Sequence, residues 1–171
     1  PRGACHNKSD MYWVDVGRAI EEIGVTGTDR FQEEGKAEIV ARHQNWRSVC
    51  DALITCTLMN VPVLGLIDML NAATGWAVDA REMLSMGERI FNLKRALNIK
   101  LGWKPEGERL PSLLMQPLED GGTGGYVPDV ERLLHDYYRV RGWDRATGKP
   151  TAGRLRELGL EDVARDLWGS V

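Results

Sequence analysis

The sequence lacks an apolar run long enough to cross a membrane, and we do not expect its first residues to be a secretory signal peptide. Its richest apolar stretch, residues 58–70, is short and is interrupted by polar residues, a proline and a glycine, whereas a membrane-spanning helix needs ~20 apolar residues. The first residues, Pro1-Arg2-Gly3-Ala4-Cys5-His6, contain no apolar core of a signal peptide. The chain does not begin with methionine, and we therefore expect a fragment or a processed piece of a longer protein.

Cysteine is also scarce. Cys5, Cys50 and Cys56 form an odd set, and without a secretory signal this indicates a reducing compartment, by default the cytoplasm. There is no CxxC pair and no HExxH motif. A four-iron cluster usually needs four thiolates, so any such cluster takes its other ligands from elsewhere. On a helix, Cys50 and Cys56 would point roughly 240° apart, and a lone helical cysteine is usually a small buried hydrophobe.

A strong charge of one sign is missing as well. The net charge is −3 and the pI about 5.7, which does not provide the basic field that nucleic acid or an anionic membrane usually requires. We expect neither as a partner. The content of 43% hydrophobic and 27% charged residues is ordinary for a globular domain.

What the sequence does have is helical periodicity, with few strand signals. We predict an all-α fold with helices near residues 33–57, 80–100 and 128–140. Pro128 suits the first turn of the third helix. Asp79 and Glu82 resemble a capping box at the start of the second helix. A short helix is expected after Thr151, ending near Gly159, and another near residues 160–167.

The glycine-rich segment 121–125 could be interpreted as a phosphate cradle or as a mobile linker. A P-loop needs a Lys-Ser/Thr pair after its last glycine, and Tyr126-Val127 follows here. Its composition favours the linker.

Eight stretches, in order along nearly the whole chain, resemble the C-terminal region of the tungsten-containing aldehyde ferredoxin oxidoreductases. These stretches are residues 2–6 (RGACH), 28–37 (TDRF with EGKA), 49–56 (VCDALITC), 70–76 (LNAATGW), 87–93 (GERIFNL), 110–111 (LP), 137–143 (YYRVRGW) and 155–159 (LRELG). One such stretch is a weak signal, whereas eight in family order are specific.

The resemblance implies an irregular multi-helical C-terminal region with a cofactor-contacting part (residues 1–60) and a helical bundle part (61–171). It implies a tungsten (or molybdenum) bis-pyranopterin and a [4Fe-4S] cluster. His6 would be the catalytic residue beside the metal, Asp51 a pterin contact and Cys56 the fourth cluster ligand. The partners implied are the N-terminal domains of the same protein, ferredoxin and a small aldehyde substrate.

One departure concerns the backbone at this site. The family pattern is Asp-x-x-Gly-Leu-Cys, and here Ile54 and Thr55 replace the Gly-Leu pair. Glycine permits a positive φ and a close approach to the cofactor, which a β-branched residue disfavours. The pterin contact expected at Thr55 depends on this backbone.

Two other interpretations remain open. The same family includes members that act on other substrates, among them an aromatic-ring reductase. Alternatively, the chain is a cofactor-free helical interaction module whose docking face includes Trp143, Trp168 and Leu134. For the enzyme we predict that Cys56, but not Cys50, faces a concave surface with His6 and Asp51.

Overall fold

The computed structural model describes residues 7–8, 10–56, 59 and 61–169. These ranges form seven α-helices: α1 (Tyr12–Asp15), α2 (Lys36–Ala52), α3 (Val63–Thr74), α4 (Ala80–Lys100), α5 (Val130–Arg141), α6 (Ala152–Glu157) and α7 (Glu161–Trp168). Three short 3-10 turns lie at Glu21–Ile23, Pro105–Gly107 and Ser112–Met115. Within the described ranges the only β pairing consists of two isolated bridges, so the predicted all-α class is confirmed. None of the described helices is both long enough and apolar enough to span a bilayer.

Helix α4 begins as its sequence predicts. The Asp79 carboxylate accepts a hydrogen bond from the Glu82 backbone N–H at 2.8 Å, and the Glu82 carboxylate accepts one from the Asp79 N–H at 2.9 Å. This reciprocal pair satisfies two N–H groups that would otherwise lack partners at the helix start. The capping box is therefore confirmed, and it fixes the first turn of the longest helix.

The apolar stripe of α4 is buried only along its first half. Met83 is fully buried, whereas Leu93 and Leu97 are 47% and 56% exposed. Over the second half the buried face instead carries a small residue and two polar ones, namely Ala96, Asn92 and Arg95. Periodicity locates the helix correctly here, but the polar side chains are buried because they find partners across the interface.

Helices α2 and α4 cross closely at Gly87. A Cβ atom on Gly87 would lie 2.6 Å from the carbonyl carbon of Asn45 and nearer still to its oxygen. No real Cβ tolerates that contact, so only glycine allows the two backbones to approach this far. This crossing holds the C-terminal half of α2, and therefore Asp51, against α4.

Helix α3 is absent from the sequence-based predictions. It follows Pro62 and ends at Gly75, which has a left-handed φ of 73°, both ordinary helix boundaries. Its short apolar sequence, containing Gly65, shows no clear polar face, although only Val63, Leu66 and Ile67 are buried. Leu64 and Met69 are exposed instead.

The C-terminal helices follow the predicted order with one boundary shifted. Thr151 caps α6 by accepting a hydrogen bond from the Arg154 N–H at 3.2 Å. Gly159 follows in the left-handed region. The placement of Pro128 in the first turn of α5 is wrong, since Asp129 is the N-cap and Pro128 precedes it. The Asp129 carboxylate caps that helix. Proline could not do so, because its side chain has no hydrogen-bond acceptor.

The described residues contain two buried apolar clusters and a separate group of buried polar side chains. One cluster joins the N-terminal segment to α2, α3 and the start of α4, and the other joins the end of α4 to α6 and α7. Between α2 and α5 the Arg141 guanidinium is 1% exposed. It donates to the side-chain oxygens of Asn45 and Gln44, and to the Ala41 carbonyl at 3.1 Å. These bonds satisfy a charge that would otherwise be costly to bury.

The glycine-rich segment is anchored on both sides to the loop before α2. The Arg30 guanidinium donates to the Gly122 carbonyl. The Tyr126 hydroxyl donates to the Glu33 carboxylate at 2.8 Å, and its ring packs on Phe31 with centroids 5.0 Å apart. These contacts tie the segment to the loop before α2.

Candidate functional site

The candidate site is built on the turn that ends α2. Leu53 is the C-cap, and Ile54 follows with a left-handed φ of 57°. The Ile54 N–H donates to the Asp51 carbonyl at 3.1 Å, and the Thr55 N–H donates to the Cys50 carbonyl at 2.9 Å. This pattern of paired bonds is a Schellman motif, which normally has glycine at the left-handed position.

Two expectations change at this turn. The predicted helix to residue 57 is wrong, because α2 ends at Ala52, and the angular comparison of Cys50 with Cys56 on one helix no longer applies. Ile54 nevertheless takes the positive φ that glycine would allow. The backbone shape that the family motif permits is thus kept by a β-branched residue, at a conformational cost.

Asp51 lies between two lysine side chains. Its carboxylate forms an ion pair with the Lys8 ammonium, and its Oδ2 atom is 3.9 Å from Lys94 Nζ. The Asp51 side chain is 29% exposed, so one edge remains accessible. A carboxylate in this position can accept further hydrogen bonds from a ligand.

Thr55 has little donor capacity left. Its backbone N–H and its hydroxyl both donate to the Cys50 carbonyl, at 2.9 and 3.0 Å. The groups that this residue can offer to a ligand are acceptors, namely its carbonyl oxygen and the lone pairs of its hydroxyl oxygen. Any contact here would therefore involve a ligand donor.

The two described cysteines differ in environment. Cys56 is exposed and its thiol is free, whereas Cys50 is 8% exposed and belongs to the apolar cluster beside α3. Burial raises the pKa of the Cys50 thiol, which disfavours its thiolate as a ligand. His6 and Cys5 lie outside the described residues, so the predicted surface shared by His6, Asp51 and Cys56 remains a prediction.

The donor set fits a cluster or metal only as a contributor. Within the described part of the chain, no group of three or more His, Cys, Asp or Glu side chains could hold a metal ion. Cys56 offers one accessible thiolate, and a four-iron cluster usually takes four. The site fits the implied cofactors if the remaining ligands come from another part of the protein.

Sequence reasoning did not identify the two lysines as part of the site. Lys8 is two positions after His6 in the sequence, so its closeness to a predicted site residue could have suggested it. Lys94 is 43 positions after Asp51 in the sequence and reaches it only because α2 and α4 cross at Gly87. No local pattern predicts that contact.

The docking-face interpretation of the tryptophans is wrong for Trp143. Trp143 is 5% exposed and its indole N–H donates to the Asn92 side chain at 2.7 Å. Trp168 is half-buried, and its indole N–H donates to the Pro150 carbonyl at 2.8 Å. The indole N–H groups of both residues thus bond within the chain, and only Trp143 is buried.

The described residues thus form a multi-helical region that presents a partly exposed aspartate and an accessible cysteine at the end of one helix. The sequence profile of "Aldehyde ferredoxin oxidoreductase, domains 2 & 3" matches residues 1–160, and the chain belongs to this family.

Individual relatives agree with the profile. The tungsten-containing aldehyde ferredoxin oxidoreductases of Pyrococcus abyssi and Pyrococcus horikoshii are each 36% identical to this chain over 165 residues, and that of Thermococcus kodakarensis is 30% identical. Each alignment covers 94% of this chain and 26% of the relative. The chain therefore spans about a quarter of the length of these relatives.

A solved structure shares the fold. A chain of the active-site complex BamBC of benzoyl coenzyme A reductase, in complex with 1,5-dienoyl-CoA, superposes with a TM-score of 0.66. The match has 23% sequence identity and covers 84% of this chain and 22% of that one. This similarity supports the helical architecture alone.

Proposed function

We propose that this chain is the C-terminal part of an oxidoreductase that converts aldehydes to carboxylic acids and passes the electrons to ferredoxin. The complete enzyme would use a tungsten bis-pyranopterin and a [4Fe-4S] cluster. The observation that carries the proposal is the turn after α2. There Asp51 and the exposed Cys56 keep the family spacing, and Ile54 between them has a left-handed backbone conformation. Family membership favours this reading over a cofactor-free interaction module.

Each residue has a defined task in this proposal. Asp51 accepts hydrogen bonds from pterin N–H groups, the Thr55 carbonyl accepts another, and Cys56 donates one thiolate to the cluster. His6 would act on the substrate, since a neutral imidazole can orient the substrate oxygen or relay a proton. Residues 1–60 are the cofactor-contacting part and residues 61–171 the supporting bundle.

The reaction sets what these groups must do. An aldehyde and water give a carboxylic acid, two protons and two electrons. When bound, the metal and cluster supply the redox chemistry, while the protein binds, orients and excludes water. His6 would accept or donate a proton at an imidazole nitrogen. Cys56 would hold the cluster close to the pterin for electron transfer. Ferredoxin would then take the electrons one at a time.

The test uses the full-length enzyme with Cys56→Ser, and with Cys50→Ser as its matched control. We expect Cys56→Ser to lose cluster iron and reduction of ferredoxin, because serine is a poor replacement for a thiolate ligand. Cys50→Ser should keep the cluster, since Cys50 is buried in an apolar core. Iron analysis and the electron paramagnetic resonance signal of the reduced cluster report the outcome. An unchanged cluster in Cys56→Ser would remove the ligand assignment.

The role of His6 is tested separately. His6→Ala in the full-length enzyme should lower turnover with aldehyde while iron, tungsten and pterin content stay at the wild-type level. Full activity in that variant would remove His6 from the mechanism. The 171-residue chain alone should bind neither stoichiometric tungsten nor a stable cluster, because it provides one of four thiolates and part of the pterin pocket.

A further inference from the structure

A cavity of about 280 Å³ lies beside the ion pairs of Asp51, between α2 and α4. Lys8 and Lys94, the two lysines that contact Asp51, are both part of its lining. Its size is near the lower end of small-molecule sites, which typically span roughly 300–1,000 Å³. The cavity is therefore large enough for one small ring system.

The lining of this cavity is cationic. Among the described residues that line it, Lys8, Lys94 and Arg95 carry positive charge and none carries negative charge. Arg95 is 4% exposed, and its guanidinium is held by the Glu108 carboxylate at 2.7 Å and by the Gly148 carbonyl at 2.9 Å. Its charge is therefore balanced within the fold, and the other cationic groups of the lining are the two lysines that pair with Asp51.

Lys94 is placed to meet a ligand. Its side chain is 52% exposed, and its Nζ atom lies 3.9 Å from Asp51 Oδ2, beyond the usual length of a charge-assisted hydrogen bond. The ammonium has three N–H donors, and this loose contact does not restrict it to one orientation. An exposed ion pair of this kind contributes little to folding.

The cavity also has an aromatic wall. The rings of Phe91 and Trp143 are nearly parallel, with an interplanar angle of 14° and centroids 6.1 Å apart, and both line the cavity. The Arg95 guanidinium carbon lies 4.1 Å from the Trp143 ring centroid and that of Arg141 lies 4.0 Å from the Phe91 centroid, so these rings give the cavity an apolar wall but are already packed within the fold. The Ser48 hydroxyl, on the α2 side, donates to the Gln44 carbonyl at 2.8 Å, which leaves its oxygen able to accept.

We propose that Lys94 is a further binding residue for the heterocycle that Asp51 recognises, and that it donates a hydrogen bond to a ring carbonyl oxygen beside the N–H groups accepted by Asp51. An aspartate next to a lysine presents an acceptor beside a donor. A pterin ring presents the complement, an N–H group beside a carbonyl oxygen. This inference rests on the proposed function and extends it to a residue 43 positions away on another helix.

The test compares variants of the full-length enzyme purified with its cofactor. Lys94→Met removes the charge and keeps the length of the side chain, Lys94→Arg keeps the charge, and Asp51→Asn weakens the acceptor. Lys100→Met is the matched control, because Lys100 lies on the same helix, is 54% exposed and pairs with Asp166. The readout is the rate of pterin and tungsten loss on incubation, measured by analysis of the protein after gel filtration.

Loss of one hydrogen bond to a charged donor should speed pterin release in Lys94→Met by about ten-fold. Lys94→Arg should restore most of the retention, and Lys100→Met should match the wild type. The melting temperatures of the apoproteins should be similar in all lysine variants, which separates binding from folding. Equal release from Lys94→Met and wild type, with faster release from Asp51→Asn, would overturn the role of Lys94 alone. Absence of pterin and tungsten from the wild-type enzyme would instead overturn the proposed function.

Discussion

Replacing Ile54 by glycine should stabilise this protein, although most substitutions of a large apolar residue destabilise. Ile54 has a φ of 57° and its side chain is 92% exposed. An L-residue with a β-carbon loses roughly 1–2 kcal/mol in the left-handed region, and β-branching adds crowding. Since the side chain is almost fully in water, its removal forfeits little buried apolar area.

The net magnitude follows from two opposing effects. Relief of the left-handed conformation favours glycine by roughly 1–2 kcal/mol. The larger conformational freedom of glycine in the unfolded chain opposes this by roughly 0.5–1 kcal/mol. We expect Ile54→Gly to raise the free energy of unfolding by about 1 kcal/mol. Ile54→Asn should give a smaller gain, since asparagine tolerates this region better than isoleucine.

Urea unfolding of the 171-residue chain, at low concentration to limit association, measures the effect. Leu101 provides a matched control, because it is 76% exposed at the C-cap of α4 but has a φ of −82°. Leu101→Gly should therefore destabilise by about 0.5–1 kcal/mol. If Ile54→Gly also destabilises, the left-handed conformation carries no strain and the argument fails.

The elements that the sequence predicts well are those with local causes. The capping box of Asp79 and Glu82, and the cap at Thr151, depend on residues three positions apart, and both form. Helix α3 is not predicted because its apolar sequence shows no clear polar face. The spacing of its apolar residues therefore does not indicate which face is buried. The predicted end of α2 is wrong because isoleucine does not normally signal the end of a helix. The backbone at Ile54 nevertheless has the positive φ that is usual for glycine.

The candidate site is predictable in part for the same reason. Asp51 and Cys56 are five positions apart, so a motif can identify both, and the exposure of Cys56 is compatible with that reading. Lys94 depends on the crossing of two helices, and that crossing depends on Gly87 meeting Asn45. A contact that requires the packed fold has no counterpart in the local sequence.

The remaining predictions concern packing and acidity. Gly87→Ala should destabilise by roughly 3 kcal/mol, because the new methyl group would overlap the Asn45 carbonyl. Gly153→Ala, in helix α6 with open space around it, should instead stabilise by about 0.5–1 kcal/mol; thermal unfolding of the two variants compares them, and equal effects would contradict the close crossing. His43 should make the protein acid-sensitive. It is 7% exposed and its Nδ1 atom has no hydrogen-bond partner among the described residues. Burial, assisted by the charge of Arg47, lowers its pKa to about 4. The unfolded chain, with a histidine pKa near 6.5, binds this proton more readily, so the contribution is complete above pH 6.5 and is lost as the pH falls towards 4. Between pH 7.5 and 4.5 the loss attributable to His43 should be roughly 2–3 kcal/mol. Urea unfolding of His43→Gln at both pH values should show a correspondingly smaller change than the wild type, whereas a variant of the exposed His135 should not. The same pH dependence in wild type and His43→Gln would show that protonation of His43 does not oppose folding.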